Sequence, residues 1–401
     1  MLTQRQLFLH NLAQTSDSPI GIEIDYAEGV YLYSPDGKRY TDLISGISVS
    51  NTGHRHPRVL AAIRNQLDHY LHLMVYGEYI QSPQVKLAAK IVQVLPPGLD
   101  SVYLVNSGSE AVEGSLKLAK RYTGRTKIIA LHNAYHGGTH GSLSIMGDER
   151  LKKPFYPLLP GISHITLNDK EALAEITTDT ACVIVEPVQG EAGIIAADRD
   201  YLAAMRSRCN ETGTLLIFDE IQTGFGRTGH LFCFEGYNVI PDILLLAKGM
   251  GGGLPIGAFV ASREIMSTLS HDPALGHITT FGGNPVCCAA ALANLEVILD
   301  EGLARLAAGK GMLFQKLLSP HPAIKEFRMS GLLIAIELDN FDTVKKVIDF
   351  CLDHGVIIDW FLFNDKSIRI APPLTINEEQ IKESCDIILQ GLTHSATTTQ
   401  I

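Results

Sequence analysis

Residues 214–258 read TLLIFDEIQTGFGRTGHLFCFEGYNVIPDILLLAKGMGGGLPIGA, and they contain the clearest indication of the fold. Two strand-length runs in this stretch, 214–220 and 242–248, are apolar on both faces. Strands of this kind, alternating with helical segments, are typical of a parallel sheet covered by helices. The stretch therefore predicts part of an α/β sheet in which Asp219 and Lys248 lie at strand ends.

Similar runs continue outward from this stretch and indicate how the chain is divided. Strand-like runs alternate with helical stretches in the middle of the chain, at 101–106, 127–132, 181–187 and 257–262. After residue 290 amphipathic helices and strands predict a smaller α+β module. We predict three parts, namely an N-terminal segment (1–50) that packs with the small domain, a large domain (51–290) and a C-terminal small domain (291–401).

The bulk composition excludes several classes of function. The 401 residues carry a net charge of −10, so binding to nucleic acid is not expected. The sequence has no apolar run long enough for a membrane span, and we do not expect its first residues to act as a secretory signal. Its seven cysteines form no CxxC pair, which favours reduced thiols in a cytoplasmic protein.

Polar residues follow several of the predicted strands, and they indicate one shared site. Residues 106–109, Glu186, Asp219 and Lys248 all lie at or just after a strand end. In open α/β sheets, ligands bind beyond the carboxyl ends of the strands. We therefore expect these side chains to surround one ligand.

The turn at 106–109 leads into a helix and suits a phosphate group. The first N–H groups of a helix are unpaired and lie at the positive end of its dipole. Gly108 permits a close approach of the backbone, and Ser109 adds a hydroxyl. The alternative is a plain helix cap, in which Ser109 caps its own helix.

Asp219 and Lys248 each end a very apolar strand. A buried carboxylate is costly without a cationic partner, and a protonated pyridine nitrogen is such a partner. Burial of a lysine lowers its pKa and makes its amine a nucleophile. The alternatives are a structural ion pair of the carboxylate, for example with Arg227, and a lysine that extends to solvent.

Seven segments give these residues a family context: NSGSEA, AYHG, VEPVQGEAG, FDEIQTGFGRTG, AKGMGGG, TFGGNP and RIAPPL. In this order they resemble the class III (subgroup II, ω-type) aminotransferases, which include acetylornithine, ornithine and 4-aminobutyrate aminotransferases. The N-terminal region is similar to that family as well. The resemblance implies the α/β architecture of fold type I enzymes of pyridoxal 5'-phosphate (PLP), with a large domain whose sheet is mainly parallel and a smaller α+β domain.

The resemblance also implies a role for each candidate site residue. Gly108 and Ser109 would form the phosphate-binding turn, and Tyr135 would stack on the cofactor ring. Asp219 would pair with the ring nitrogen, Gln222 would contact the phenolic oxygen, and Lys248 would form the Schiff base. Thr280 would contact the cofactor phosphate of the neighbouring subunit, and Glu191 and Arg369 would form an ion pair that opens when a dicarboxylate binds. In that pair the arginine would form a bidentate clamp on a substrate carboxylate. The threonine implies a homodimer with shared active sites, and no residue is implied to bind a metal.

These matches imply a PLP-dependent aminotransferase that works by a ping-pong mechanism. It would move an amino group, in particular a terminal (ω) one, from an amine or amino acid to a 2-oxo acid such as 2-oxoglutarate. Fold does not fix reaction, so an aminomutase, racemase or decarboxylase remains an alternative. A non-catalytic PLP-binding protein is a further alternative, although such a protein would not need Lys248 and Asp219 together.

Two departures from the family pattern leave the amino donor open. Gly138 stands where many members have an arginine that binds the donor's far carboxylate, and Ile47 stands where ornithine-specific members have a tyrosine. Other basic residues of loop-like sequence could supply the missing cation, namely Arg55, Lys152 and Lys153. The spacing of His132, His136 and His140 would suit a metal only on a helix, and their glycine-rich segment predicts a loop.

Overall fold

The computed structural model describes residues 2–397. Met1, in the predicted N-terminal segment, and residues 398–401, in the predicted C-terminal domain, lie outside the described residues. The strands in chain order are β1 (Tyr26–Glu28), β2 (Tyr31–Tyr33), β3 (Arg39–Asp42), β4 (Ser101–Val105), β5 (Lys127–Leu131), β6 (Ile162–Ile165), β7 (Thr180–Val185), β8 (Val188–Gln189), β9 (Ile195–Ala196), β10 (Leu215–Asp219), β11 (Ile243–Leu246), β12 (Gly257–Ala261), β13 (Glu326–Ser330), β14 (Leu333–Glu337), β15 (Val356–Ile357), β16 (Asp359–Trp360) and β17 (Ser367–Ile370). The helices are α1 (Gln4–Asn11), α2 (Ser45–Ser48), α3 (Pro57–Leu67), α4 (Ser82–Gln93), α5 (Gly108–Thr123), α6 (His140–Ser144), α7 (Glu149–Lys152), α8 (Arg199–Thr212), α9 (Arg263–Ser267), α10 (Pro285–Asp300), α11 (Leu303–Leu318), α12 (Phe341–Asp353) and α13 (Glu378–Thr397). None of the helices within residues 2–397 is long and apolar enough to cross a membrane.

A seven-stranded sheet with the order β4-β12-β11-β10-β7-β5-β6 forms the centre of the molecule. Its strands run parallel except β12, which is antiparallel to both β4 and β11. Strands β7, β10, β11 and β12 are buried along their whole length, as their continuous apolar sequences predict. The prediction of a mainly parallel central sheet is confirmed.

Helices cover both faces of this sheet because alternate side chains of each strand point in opposite directions. Ile217 of β10 packs in one cluster with Val112 of α5. Leu216 and Phe218, its neighbours along the strand, pack in another cluster with Met205 of α8. The apolar runs of the sequence therefore fill two layers of core rather than one.

The C-terminal part forms its own antiparallel sheet, β13-β14-β17-β16, packed with helices α11, α12 and α13. The N-terminal segment joins this part, since β3 pairs in parallel with β15 and forms the sheet β1-β2-β3-β15. The division into an N-terminal segment packed with the small domain, a large domain and a small domain, with boundaries at 50 and 290, stays a prediction.

Candidate active site

A cavity of about 450 Å³ opens at the carboxyl ends of the parallel strands. Most of the residues predicted for the site line it, namely Gly108, Ser109, Tyr135, Glu191, Asp219, Gln222 and Lys248. Arg369 lies behind Glu191 and is buried, whereas Thr280 is exposed on a loop outside the cavity. The chain connections therefore bring together residues from five strand ends, as expected for an open α/β sheet.

The turn after β4 presents the start of α5 to this cavity. Ser107 is the N-cap of the helix, and its side chain accepts a hydrogen bond from the backbone N–H of Glu110 at 3.2 Å. The alternative in which Ser109 caps the helix is therefore wrong, because the helix begins one residue before Ser109. Gly108 and Ser109 at the start of this helix line the cavity, and the first N–H groups of a helix suit an anion.

Gly137 completes the wall beside this turn. Its φ of +123° is a conformation that side chains rarely adopt, and a Cβ on it would lie 2.1 Å from the Oγ of Ser109. Only glycine allows the loop to approach the turn at 106–109 this closely. A Cβ on Gly138, the next residue, would meet no heavy atom within 4 Å.

Asp219 ends β10 and is almost completely buried, with its carboxylate fixed by two donors. Its Oδ1 accepts the N–H of Ile221 at 3.0 Å, and its Oδ2 lies 2.7 Å from Nδ1 of His136. Burial opposes a charge on His136, but the hydrogen bond and the charge of Asp219 outweigh it and raise the pKa of His136. The alternative ion pair with Arg227 is not formed, since that guanidinium bonds to Asn51, Ser45 and two carbonyl oxygens.

Lys248 follows β11 in the left-handed region of backbone conformation, with φ of 44°. Such a conformation is strained for a residue with a side chain, and strain of this kind is concentrated at functional sites. Burial lowers the pKa of the Lys248 amine, and the charge of Glu191 opposes this effect only in part. The lowered pKa makes the neutral, nucleophilic form of this amine easier to reach than that of an exposed lysine.

Tyr135 and Glu186 form another part of the cavity wall. The backbone N–H of Tyr135 donates to Oε2 of Glu186 at 3.1 Å, and the N–H of Gly190 donates to Oε1 at 3.3 Å. Burial raises the pKa of Glu186 to about 7 despite these bonds. Gln222 packs so closely that a Cβ on Gly190 would lie 1.5 Å from its Oε1.

Glu191 and Arg369 form the ion pair that the resemblance implied. Nη1 of Arg369 donates to Oε1 of Glu191 at 2.6 Å, and Gln222 contacts the same oxygen at 3.4 Å. Asp359, which no sequence pattern singled out, also binds Arg369, with Nε–Oδ1 and Nη2–Oδ2 distances of 2.8 Å each. The five N–H donors of a buried arginine need several acceptors, so a further partner for Arg369 was to be expected, but the sequence does not indicate which residue supplies it.

None of the alternative cations suggested by the sequence lines the cavity. Arg55 and Lys153 are exposed elsewhere, and Lys152 is buried in an ion pair with Glu149 at 2.5 Å. Ile47 has a left-handed φ of 62° and is not among the lining residues, although its neighbour Val49 is. Among the cavity-lining residues within 2–397, Lys248 is the only lysine or arginine.

Of the three spaced histidines, only His136 belongs to the site. His132 is exposed and stacks on His164 at a centroid distance of 5.6 Å, and His140 begins the short helix α6. No group of three or more histidine, cysteine, aspartate or glutamate side chains within residues 2–397 is arranged to hold a metal ion. The role of His136 as partner of Asp219 was missed, because residue spacing alone does not show which strand end a loop residue meets.

The arrangement fits PLP in each of its chemical parts. An anion-binding helix start suits the phosphate, and the buried carboxylate of Asp219 suits a protonated ring nitrogen. The amine of Lys248 suits an aldehyde, and all three groups face the same cavity. The site can therefore hold a flat, phosphorylated aldehyde and move protons beside it.

Comparison with known proteins agrees with this geometry. The sequence model of a family described as aminotransferase class-III matches residues 12–392. An acetylornithine aminotransferase of Methanocaldococcus jannaschii is 43% identical over 367 residues, which cover 88% of this chain and 89% of that protein. Another from Archaeoglobus fulgidus is 38% identical and covers 92% of this chain and 95% of its own length.

Solved structures show the same similarity. The ornithine aminotransferase from Toxoplasma gondii, whose crystal structure shows partial occupancy of PLP at the active site, is 30% identical with a TM-score of 0.91. The match covers 98% of this chain and 94% of that chain. A transaminase from the marine bacterium Virgibacillus is 28% identical, has a TM-score of 0.92 and matches over 98% of both chains.

Proposed function

The chain belongs to the class III aminotransferase family and is a PLP-dependent transaminase, and on this premise we propose that Lys248 and Asp219 carry its chemistry. One observation supports the assignment above the others. The Lys248 amine and the Asp219 carboxylate line one cavity from the ends of the adjacent strands β11 and β10. This is the pair of groups that amino-group transfer needs, one to move protons and one to hold a cationic ring.

The proposed division of labour follows from the environment of each residue. When bound, PLP supplies an aldehyde that condenses with amines and a protonated ring that accepts electron density. Lys248, whose pKa is lowered by burial, would take the proton from the amine-bearing carbon of the donor and deliver it to the cofactor's aldehyde carbon, after which water would release the donor as a carbonyl compound. Asp219 would hold the proton on the ring nitrogen, and Ser109 and the start of α5 would hold the phosphate.

The remaining residues of the cavity orient the reactants. Tyr135 and Gln222 line the cavity, and we assign Tyr135 to the ring and Gln222 to its phenolic oxygen. Glu191 and Arg369 are assigned to the carboxylate of the acceptor, for which we propose 2-oxoglutarate. Because one cavity serves both half-reactions, donor and acceptor would bind in turn, which gives ping-pong kinetics.

For the donor we propose a primary amine at the end of a chain, with acetylornithine as the first candidate because relatives at 38–43% identity are named for it. A second candidate is an amine without a far carboxylate, such as putrescine. The observation that favours it is Gly138, which is exposed and leaves that side of the cavity without the cation of an arginine. The ratio of kcat/KM for acetylornithine and putrescine distinguishes the two.

We also propose a cytoplasmic homodimer in which Thr280 reaches the neighbouring subunit's cofactor. Thr280 is exposed between the exposed apolar residues Ile278 and Phe281. The centroid of the Phe281 ring lies 4.9 Å from that of the His72 ring. His72 belongs to a second segment with exposed apolar side chains, which extends to Ile80, a residue that is 96% exposed. Exposed apolar surface of this extent is typical of an interface.

The seven cysteines are free thiols, which supports the proposed location in a reducing compartment such as the cytoplasm.

The test is the half-reaction with glutamate in the absence of any acceptor. The loaded wild-type protein should release one equivalent of 2-oxoglutarate per active site and then stop. Lys248→Ala should release none over the same time, whereas Lys153→Ala, which removes an exposed lysine, should behave like the wild type. Catalytic release without added acceptor, release of carbon dioxide, or racemised glutamate would contradict the proposal.

A further inference from the structure

We propose that Asp359 determines how Arg369 recognises a substrate carboxylate, by holding its guanidinium so that only Nη1 can reach the ligand. The proposal rests on the assignment of Glu191 and Arg369 to the acceptor carboxylate. Asp359 touches neither cofactor nor substrate in this arrangement, so it is a positioning residue. Its effect would be on specificity between ligands with and without a carboxylate.

The guanidinium of Arg369 has five N–H donors. Nε and Nη2 each give one hydrogen to Asp359 at 2.8 Å, and Nη2 gives its other hydrogen to the carbonyl of Trp360 at 3.0 Å. Nη1 gives one hydrogen to Oε1 of Glu191 at 2.6 Å. Four of the five donors are used within the protein, and the fifth lies on Nη1.

The segment around Asp359 fixes this arrangement from several directions. The guanidinium carbon lies 5.0 Å from the ring centroid of Phe361, and the side chain of Arg369 is buried. The N–H of Leu362 donates to Oε2 of Glu191 at 3.1 Å, so the same segment also holds the other member of the pair. A rotation of Arg369 would have to break its bonds to both Asp359 and Trp360.

The consequence concerns what remains when Glu191 moves away. Both hydrogens of Nη1 become free, but Nη2 has none to offer. Arginine binds a carboxylate strongly when two of its nitrogens donate two parallel hydrogen bonds to it. Arg369 therefore cannot bind a ligand carboxylate in this bidentate way. Asp359 also keeps neutralising the guanidinium charge, which weakens its attraction for a ligand. The expected bidentate clamp is replaced by a contact through one nitrogen.

Binding of glutarate, an unreactive dicarboxylate, tests this by calorimetry on the PLP-loaded protein. Asp359→Asn and Asp359→Ala should bind glutarate about tenfold more tightly than the wild type, or about 1.4 kcal/mol. Asp339→Asn, which removes an exposed carboxylate paired with Lys325, is the matched control and should leave the affinity unchanged. A purely structural role of Asp359 would weaken glutarate binding, so unchanged or weaker binding in both variants overturns the proposal.

A second measurement uses the wild type and does not depend on the folding of a variant. Trp360 is the only tryptophan of the chain, and its carbonyl holds Nη2 of Arg369. Its emission maximum should stay fixed at a glutarate concentration that calorimetry shows to be saturating, because the Asp359 and Trp360 bonds persist. A shifted maximum would mean that Arg369 leaves them and would overturn the proposal. Release of 2-oxoglutarate from glutamate tests the proposed function separately, so the two failures are distinguishable.

Discussion

Nδ1 of His136 lies 2.7 Å from Oδ2 of Asp219, and both side chains are buried at the floor of the cavity. Burial opposes a charge on His136, but the hydrogen bond and the charge of Asp219 raise its pKa and so stabilise the protonated imidazole beside the carboxylate. A protonated His136 fixes the orientation of Asp219 and leaves the other oxygen bonded to the N–H of Ile221. His136 and the N–H of Ile221 thus fix the carboxylate that we assign to the ring nitrogen, and this arrangement does not depend on a bound ligand.

The first prediction concerns this pair. His136→Phe keeps a ring of similar size but removes the donor to Asp219, a charge-assisted bond of about 1.5–3 kcal/mol. We expect kcat to fall about 10–100-fold while PLP still binds. His132→Asn, in an exposed position of the same loop, is the control. Steady-state kinetics with a saturating donor gives the answer, and a kcat within about twofold of the wild type would show that Asp219 needs no support.

The second prediction compares two adjacent glycines. Gly137→Ala places a Cβ 2.1 Å from Oγ of Ser109 in a strained conformation, whereas Gly138→Ala meets no atom within 4 Å. A strained residue costs about 1–3 kcal/mol, so we expect Gly137→Ala to weaken PLP binding by about 10–100-fold. Gly138→Ala should bind PLP as the wild type does. Equilibrium titration of the apoprotein with PLP measures the affinity of both variants. Equal affinities would contradict the assignment of the turn at 106–109 to the cofactor phosphate.

The third prediction restores the cation that the family pattern has at position 138. Because that position opens to free space, Gly138→Arg should fold and present a guanidinium to the donor's far carboxylate. A charge-assisted bond of about 1.5–3 kcal/mol should lower KM for acetylornithine or 4-aminobutyrate about 10–100-fold. KM for putrescine should not fall. If 4-aminobutyrate is already a strong donor for the wild type, the inference from Gly138 is wrong.

The fourth prediction is a pH dependence of stability. Burial raises the pKa of Glu186 to about 7, so the folded state holds this proton more tightly than the unfolded state. Its contribution to stability is present at low pH and is lost as pH rises from about 4.3, the ordinary value for glutamate, through about 7. Glu186→Gln removes this loss, which amounts to about 4 kcal/mol at most. The difference in Tm, variant minus wild type, should therefore be more positive at about pH 8 than at about pH 5.

The control for that measurement is Glu171→Gln, an exposed carboxylate for which the same difference should be flat with pH. A flat difference for Glu186→Gln as well would mean that the carboxyl is not held protonated by the cavity.

The fifth prediction tests the shared active site. Lys248→Ala and Thr280→Ala should each lose most activity when purified alone. After the two proteins are mixed and their subunits exchanged, one site of each heterodimer contains both native residues. The mixture should then be more active than either variant. Activity equal to the mean of the two variants would show that Thr280 does not reach a neighbouring site.

The central sheet and the residues at its edge follow from local sequence. The runs at 214–220 and 242–248 are apolar on both faces, and a sheet covered on both sides by helices buries both of those faces. Asp219 and Lys248 could be selected as reactive candidates because each ends such a run, and the strand ends of a parallel sheet meet at one edge.

The pairing of polar side chains, in contrast, depended on the tertiary structure. His136 meets Asp219, and Asp359 meets Arg369, through chain connections whose course no local pattern specifies. The cap at Ser107 rather than Ser109 likewise depended on where the backbone leaves the extended conformation. Such contacts arise because buried polar groups must find partners across the packed elements, and the packing, not the residue spacing, determines which partner is within reach.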